Sequence, residues 1–225
     1  MSTQRAVLVL MLVGGALMRV GAHGLASTPT WNREISRIVY DKCASCHRPG
    51  GGAFSLLGYL DAQPRANEIK DAVLARRMPP WGAVKGFGNF RNDQSLTEEQ
   101  IELVRRWVDG GIRRGNNPQM LPAVPAFSAT APFRPPDSAT RVSGPSTIRD
   151  RMVVEALFPE KTPTDSLRIV AQLPDGRVEP LVWLHGYDAR YAHAFVLRRP
   201  LDLPPGTRID GVPANAVLAL IPLTR

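Results

Sequence analysis

Apolar positions recur at two different periods along this chain, and the change from one period to the other divides it. Through the first half they return every three or four residues, the spacing that lays one helical face against a core. From about Asn32 to Lys42, Ile35, Ile38 and Val39 fall on such a face. From about Asp61 to Arg77, Ala66, Ile69 and Val73 form the stripe, and Met78-Pro79-Pro80 ends it because proline disfavours helical backbone before it. The third pattern carries its own start signal: Thr97 and Gln100 have the spacing of a capping box, and Leu96 and Ile101 that of a hydrophobic staple. Ile101, Val104, Trp107 and Val108 share its inner face, and Gly110-Gly111 supplies a stop.

Beyond about residue 140 the period is two. Leu167, Ile169, Ala171 and Leu173 alternate with Arg168, Val170 and Gln172, which puts the first set on one face of a strand. Pro174-Asp175-Gly176 turns the chain into a second strand over 178–185. Tyr191, His193, Phe195 and Leu197 line one face of a third, Pro204-Pro205-Gly206 is another turn, and 217–223 is a late apolar strand. Between the halves, residues 118–136 hold six prolines among Ala, Ser, Thr and Phe, the composition of an extended linker. The expected fold class is α + β in two domains: a small all-α domain over 31–115, a Pro-rich linker over 116–140, and a small antiparallel β-sandwich-like domain over 141–225.

The amino terminus changes the compartment. Arg5, the apolar run Ala6 to Met18, and small residues at Val20-Gly21-Ala22 and Gly24-Leu25-Ala26 read as a secretory signal peptide over 1–26. Thirteen apolar residues stopped by Arg19 fall short of the ~20 that span a bilayer, which favours cleavage over a retained anchor. A periplasmic or secreted protein is expected, with no transmembrane span after cleavage. The formal charge is +8, and residues 31–115 carry fourteen basic against ten acidic side chains. That mild excess suits redox partner proteins with an acidic docking surface, although a plain solvated surface has the same composition. The basic residues are dispersed and no nucleic-acid-binding motif accompanies them, so nucleic acid is not an expected partner.

The sequence has two cysteines, and both lie in Cys43-Ala44-Ser45-Cys46-His47. C-x-x-C-H is the attachment spacing of a c-type haem: residues three and four apart share a helical face, so two sulfurs reach one macrocycle edge while the imidazole lies under the iron. A redox-active C-x-x-C would sit in a βαβ setting, and a structural zinc site would want four ligands. A disulfide here would close a loop of two residues and stabilise little. The expectation is one covalently bound haem c, with Cys43 and Cys46 as thioether tethers and His47 as proximal iron ligand.

The distal position follows by elimination. After the signal, the methionines are Met78, Met120 and Met152, and the histidines outside the motif are His185 and His193. Only Met78 belongs to the helical region, and Pro79-Pro80 stiffens the chain beside it. Met78 is therefore the candidate distal iron ligand, with a core filler as its alternative. Three supporting roles each have a plain counterpart. The Pro49 carbonyl could orient the imidazole or lie in a simple turn, Trp81 could wall the haem edge or plug a core, and Arg76 and Arg77 could meet propionates or water.

These residues resemble something known. Trp31 to Gly115, with Cys-Ala-Ser-Cys-His-Arg-Pro-Gly, Ala-Arg-Arg-Met-Pro-Pro-Trp, Phe-Arg-Asn-Asp-Gln-Ser-Leu-Thr-Glu-Glu-Gln-Ile and Trp-Val-Asp-Gly-Gly, looks like the class I-type cytochrome c domain of bacterial exported proteins. The resemblance implies Met78 as the distal ligand. Leu181-Val182-Trp183-Leu184 and Pro200 to Ile209 are similar to strands of copper type II, ascorbate-dependent monooxygenases, which use His-x-His pairs; this chain has no His-x-His, so copper is not carried over. The expected function is single-electron transfer by a His/Met-ligated haem, with the β domain docking a partner. The alternatives are a haem enzyme or monooxygenase-associated redox subunit, and a haem-based redox sensor.

Overall fold

The structure, a computed structural model, describes residues 27–127, 132–162 and 166–224; the expected signal segment lies outside them. It combines short helices with two antiparallel sheets. Among the described residues no helix is long and apolar enough to cross a membrane.

A π turn over Trp31–Ile35 runs into α1 (Ser36–Lys42). The helix expected over 61–77 is broken into α2 (Tyr59–Ala62), a 3-10 turn (Gln63–Arg65) and α3 (Ala66–Leu74). Pro64 explains the break, since it brings no N–H to the helical ladder. α4 (Glu98–Asp109) begins as the sequence predicts: the Gln100 amide donates to Thr97 Oγ1 at 3.1 Å and the Thr97 amide to Gln100 Oε1 at 2.9 Å. Trp31, Ile35, Ile38, Val39, Val73, Val104, Trp107 and Val108 form one buried cluster. Its polar ring atoms find partners, with Tyr40 Oη donating to the Leu57 carbonyl and Trp107 Nε1 to that of Arg113.

The carboxy-terminal strands are β1 (Thr140–Val142), β2 (Ser146–Thr147), β3 (Met152–Lys161), β4 (Ser166–Gln172), β5 (Val178–His185), β6 (Phe195–Leu203), β7 (Arg208–Asp210) and β8 (Val217–Pro222). They build two four-stranded sheets, ordered β1-β8-β3-β6 and β2-β7-β4-β5. Leu157, Phe195 and Leu218 of one sheet share a buried cluster with Ile169, Leu181 and Ile209 of the other, the arrangement of a sandwich. The expected third strand starts later than its pattern: Ala189–Tyr191 is a 3-10 turn opened by Asp188, whose carboxylate accepts from the Arg190 amide, and β6 begins at Phe195. Tyr191 and His193 thus precede the strand on which they were expected.

Residues 81–92, expected inside the helical region, pack instead on the sandwich. β5 and β6 are edge strands of the two sheets, and this segment closes both. Ala83 bridges Leu184 of β5, with the Val84 amide donating to the Trp183 carbonyl and the His185 amide to that of Gly82. Phe90 bridges Leu197 of β6, with the Arg91 amide donating to Val196 and the Arg198 amide to Asn89. Trp81 and Phe90 are buried in the sandwich cluster, not in the helical one. An unpaired edge leaves backbone donors and acceptors open, and this strap satisfies them.

The described parts of the linker are extended apart from a 3-10 turn at Pro118–Met120 and a turn at Asp137 and Ser138, where the Ala139 amide donates to the Pro136 carbonyl at 3.0 Å. Asn32 Nδ2 donates to the carbonyls of Gly115 and Asn117, which ties its start to the first helical turn. Further along, the Arg48 guanidinium stands 5.0 Å from the Phe127 ring, and Phe133 lies 5.1 Å from Phe158 of β3.

Candidate functional site

The cysteine motif directly follows α1. The ladder of α1 gives way there to tighter and wider turns: the Cys43 and Ala44 amides both donate to the Val39 carbonyl, at 2.9 and 2.8 Å, and the Cys46 and His47 amides to that of Cys43, at 3.1 and 2.9 Å. This turn brings Cys43 close enough to Cys46 for the two thiols to interact electrostatically, with His47 next along it. Both thiols are free. Cys43 is half-buried and Cys46 exposed. Burial pushes the Cys43 thiol up to about 12, with Asp41 and Cys46 adding to the shift, so it is protonated at neutral pH. Immediately after, the chain folds back so tightly that a Cβ at Gly51 would stand 2.4 Å from the Cys46 carbonyl oxygen. Only glycine fits there.

That fold-back decides which group orients the imidazole. His47 Nδ1 lies 3.0 Å from the carbonyl oxygen of Phe54, not that of Pro49. The Pro49 carbonyl is instead 3.5 Å from the Arg48 guanidinium. Because a carbonyl only accepts, Nδ1 is the donor, and in the neutral imidazole this tautomer leaves the lone pair on Nε2. Nε2 has no hydrogen-bond partner among the described residues. Phe54 also sets its ring edge-on to the imidazole at 4.7 Å, and the Arg65 guanidinium covers that ring at 4.0 Å. Neither Phe54 nor Arg65 was legible as a site residue, since nothing in the spacing marks a carbonyl seven residues beyond the histidine.

Met78 arrives from a different element. α3 ends at Leu74, and Arg76 takes a φ of 53°, reversing the chain so that the Met78 amide donates back to the Ala72 carbonyl at 3.3 Å. Met78 is half-buried, and the peptide bond to Pro79 is cis. Arg76 is committed to Glu98 at 2.5 Å, whereas Arg77 is exposed. Trp81 lies neither at the cysteine motif nor in the helical core. Its ring stacks on His193 at 4.8 Å and 18°, inside the sandwich. Burial holds His193 below the usual imidazole range, while His185 sits exposed at the end of β5. Among the described residues no group of three or more His, Cys, Asp or Glu side chains is placed to hold a metal ion.

No family model, no curated protein and no solved structure matches this chain. Its functional reading rests on the residues themselves. Two reduced thiols three residues apart, followed by an imidazole whose Nε2 is free and whose other nitrogen is anchored, fit what thioether attachment and ligation of a haem iron require.

Proposed function

We propose that the protein is an exported monohaem c-type cytochrome that carries single electrons. The observation that supports this best is the Cys43–Cys46–His47 turn with its free thiols and its Nδ1-anchored imidazole. Bound haem supplies a one-electron ferric/ferrous couple, and the chain does the rest. Cys43 and Cys46 would tether the macrocycle through their sulfurs, and His47, its Nδ1 held by the Phe54 carbonyl, would offer Nε2 to the iron. Met78 would be the second protein ligand, and a thioether there would favour the ferrous state and close the iron to exogenous ligands. The helical cluster around Trp31 and Trp107 and the sandwich are its two domains, bridged by the linker and by the 81–92 strap. The modest positive charge of residues 31–115 favours partner proteins with acidic faces.

Potentiometric titration of the matured protein tests this reading. A reversible one-electron couple with a low-spin spectrum is expected, and Met78→Ala lowers the midpoint potential and opens the sixth position to added ligands. A five-coordinate ferric spectrum in the unaltered protein would exclude Met78 as ligand.

A further inference from the structure

The strap that packs on the β sandwich leaves the helical region directly after Met78. Trp81, only 4% exposed, is separated from Met78 by Pro79 and Pro80 alone. Both prolines have φ fixed by their rings, and the Trp81 amide donates to the Pro79 carbonyl at 2.8 Å, so the connection has little slack. The Trp81 ring is clamped on three sides: stacked on His193, edge-on to Phe195 at 4.8 Å, and edge-on to Phe90 at 5.9 Å. His193 is itself held, its Nδ1 lying 2.8 Å from the Tyr191 carbonyl. The next residue, Gly82, is pressed against Tyr187, where a Cβ would meet Cα at 2.9 Å, and its carbonyl accepts from the His185 amide at 3.0 Å. Upstream, the last turn of α3 holds the Met78 amide. Met78 therefore lies on a short span between two anchors, one helical and one belonging to the sandwich.

We infer that the Trp81–His193 stack is the device that positions Met78, so that the β sandwich sets how firmly the thioether reaches the iron. The inference rests on Met78 being the distal ligand. A neutral thioether is a weak ligand, and its hold depends on how little the loop bearing it moves. Trp81 and His193 touch neither iron nor macrocycle in this account; they are positioning residues. The sandwich is then part of the haem site's support and not only a surface for a partner.

The test uses the full-length matured protein and two replacements of His193. His193→Ala removes the stacked ring. The expected result is a full complement of covalent haem, loss of the far-red thioether-to-ferric-iron band, and a lower midpoint potential. His193→Phe keeps a ring against Trp81 and restores both band and potential. A folded His193→Ala protein with wild-type band and potential would overturn the inference. A urea titration of the wild type gives a second reading that needs no variant: the band disappears in the same transition as the β-sheet circular dichroism. Its survival after the sheet signal has gone would also overturn the inference. A wild type with covalent haem but no such band before any perturbation would instead refute Met78 ligation itself.

Discussion

At the scale of single residues, the site is governed by which atoms are left free. His47 spends Nδ1 on the Phe54 carbonyl and keeps Nε2, whereas the two thiols differ in environment. Cys43 is half-buried with its pKa pushed up to about 12, and Cys46 is exposed. Since the thiolate is the reacting form, a haem-free but folded chain treated with iodoacetamide at neutral pH is expected to alkylate at Cys46 well before Cys43. Equal rates, followed by peptide mass spectrometry, would contradict that placement. His193 gives a pH dependence of definite sign. Its folded pKa lies below the ordinary value, mainly through burial, so the unfolded chain binds its proton first as pH falls. Stability is expected to fall as pH drops from about 6.5 through the lower folded value. Urea midpoints measured across that range should flatten in His193→Phe, and an unchanged slope would show that another group titrates.

At the scale of elements, local rules held where a signal was local. The Thr97 and Gln100 capping box was legible because both partners lie within four residues, and it forms as read. Thr97→Ala is expected to cost about 1 kcal/mol, seen as a lower urea midpoint with an unchanged slope. The Leu167–Leu173 alternation was legible for the same reason, since a half-buried strand writes its period into the sequence. The apolar stripe over 61–77 says nothing of Pro64, and the long helix it predicts is broken there. Tyr191 and His193 continued the alternation of β6 by coincidence, because the Asp188 cap builds a 3-10 turn that period alone does not reveal. The strap was illegible for a different cause. Its contacts with β5 and β6 join residues about a hundred positions apart, and no periodicity within 81–92 reports an edge strand that has yet to be made. Gly82→Ala tests its fit: a φ of 67° and the closeness of Tyr187 predict a loss of roughly 1–2 kcal/mol or more from the backbone conformation alone. A variant as stable as the parent would mean the strap is loosely held.

For the whole molecule, the strap changes what the two halves mean to one another. Trp81 and Phe90 complete the sandwich core from the helical side, and the linker returns along the first helical turn before reaching the sheets. A chain cut at residue 140 would strip both aromatics from the sandwich and uncover the edges of β5 and β6. The isolated 141–225 fragment is therefore expected to aggregate or remain unfolded, while 27–225 folds. A monomeric, cooperatively unfolding fragment would show the strap to be dispensable. The periods and the cysteine motif told where the two kinds of structure lie, but their coupling is a property of the assembled chain.

On the proposed function, this polypeptide matures with one porphyrin bonded through Cys43 and Cys46. Intact mass together with a pyridine haemochrome spectrum, taken on protein exported by cells competent in cytochrome c maturation, tests it most directly. The predicted result is a mass exceeding the processed polypeptide by a single haem, with a spectrum of the doubly thioether-linked type. A polypeptide mass with no added group and no Soret absorption would contradict it.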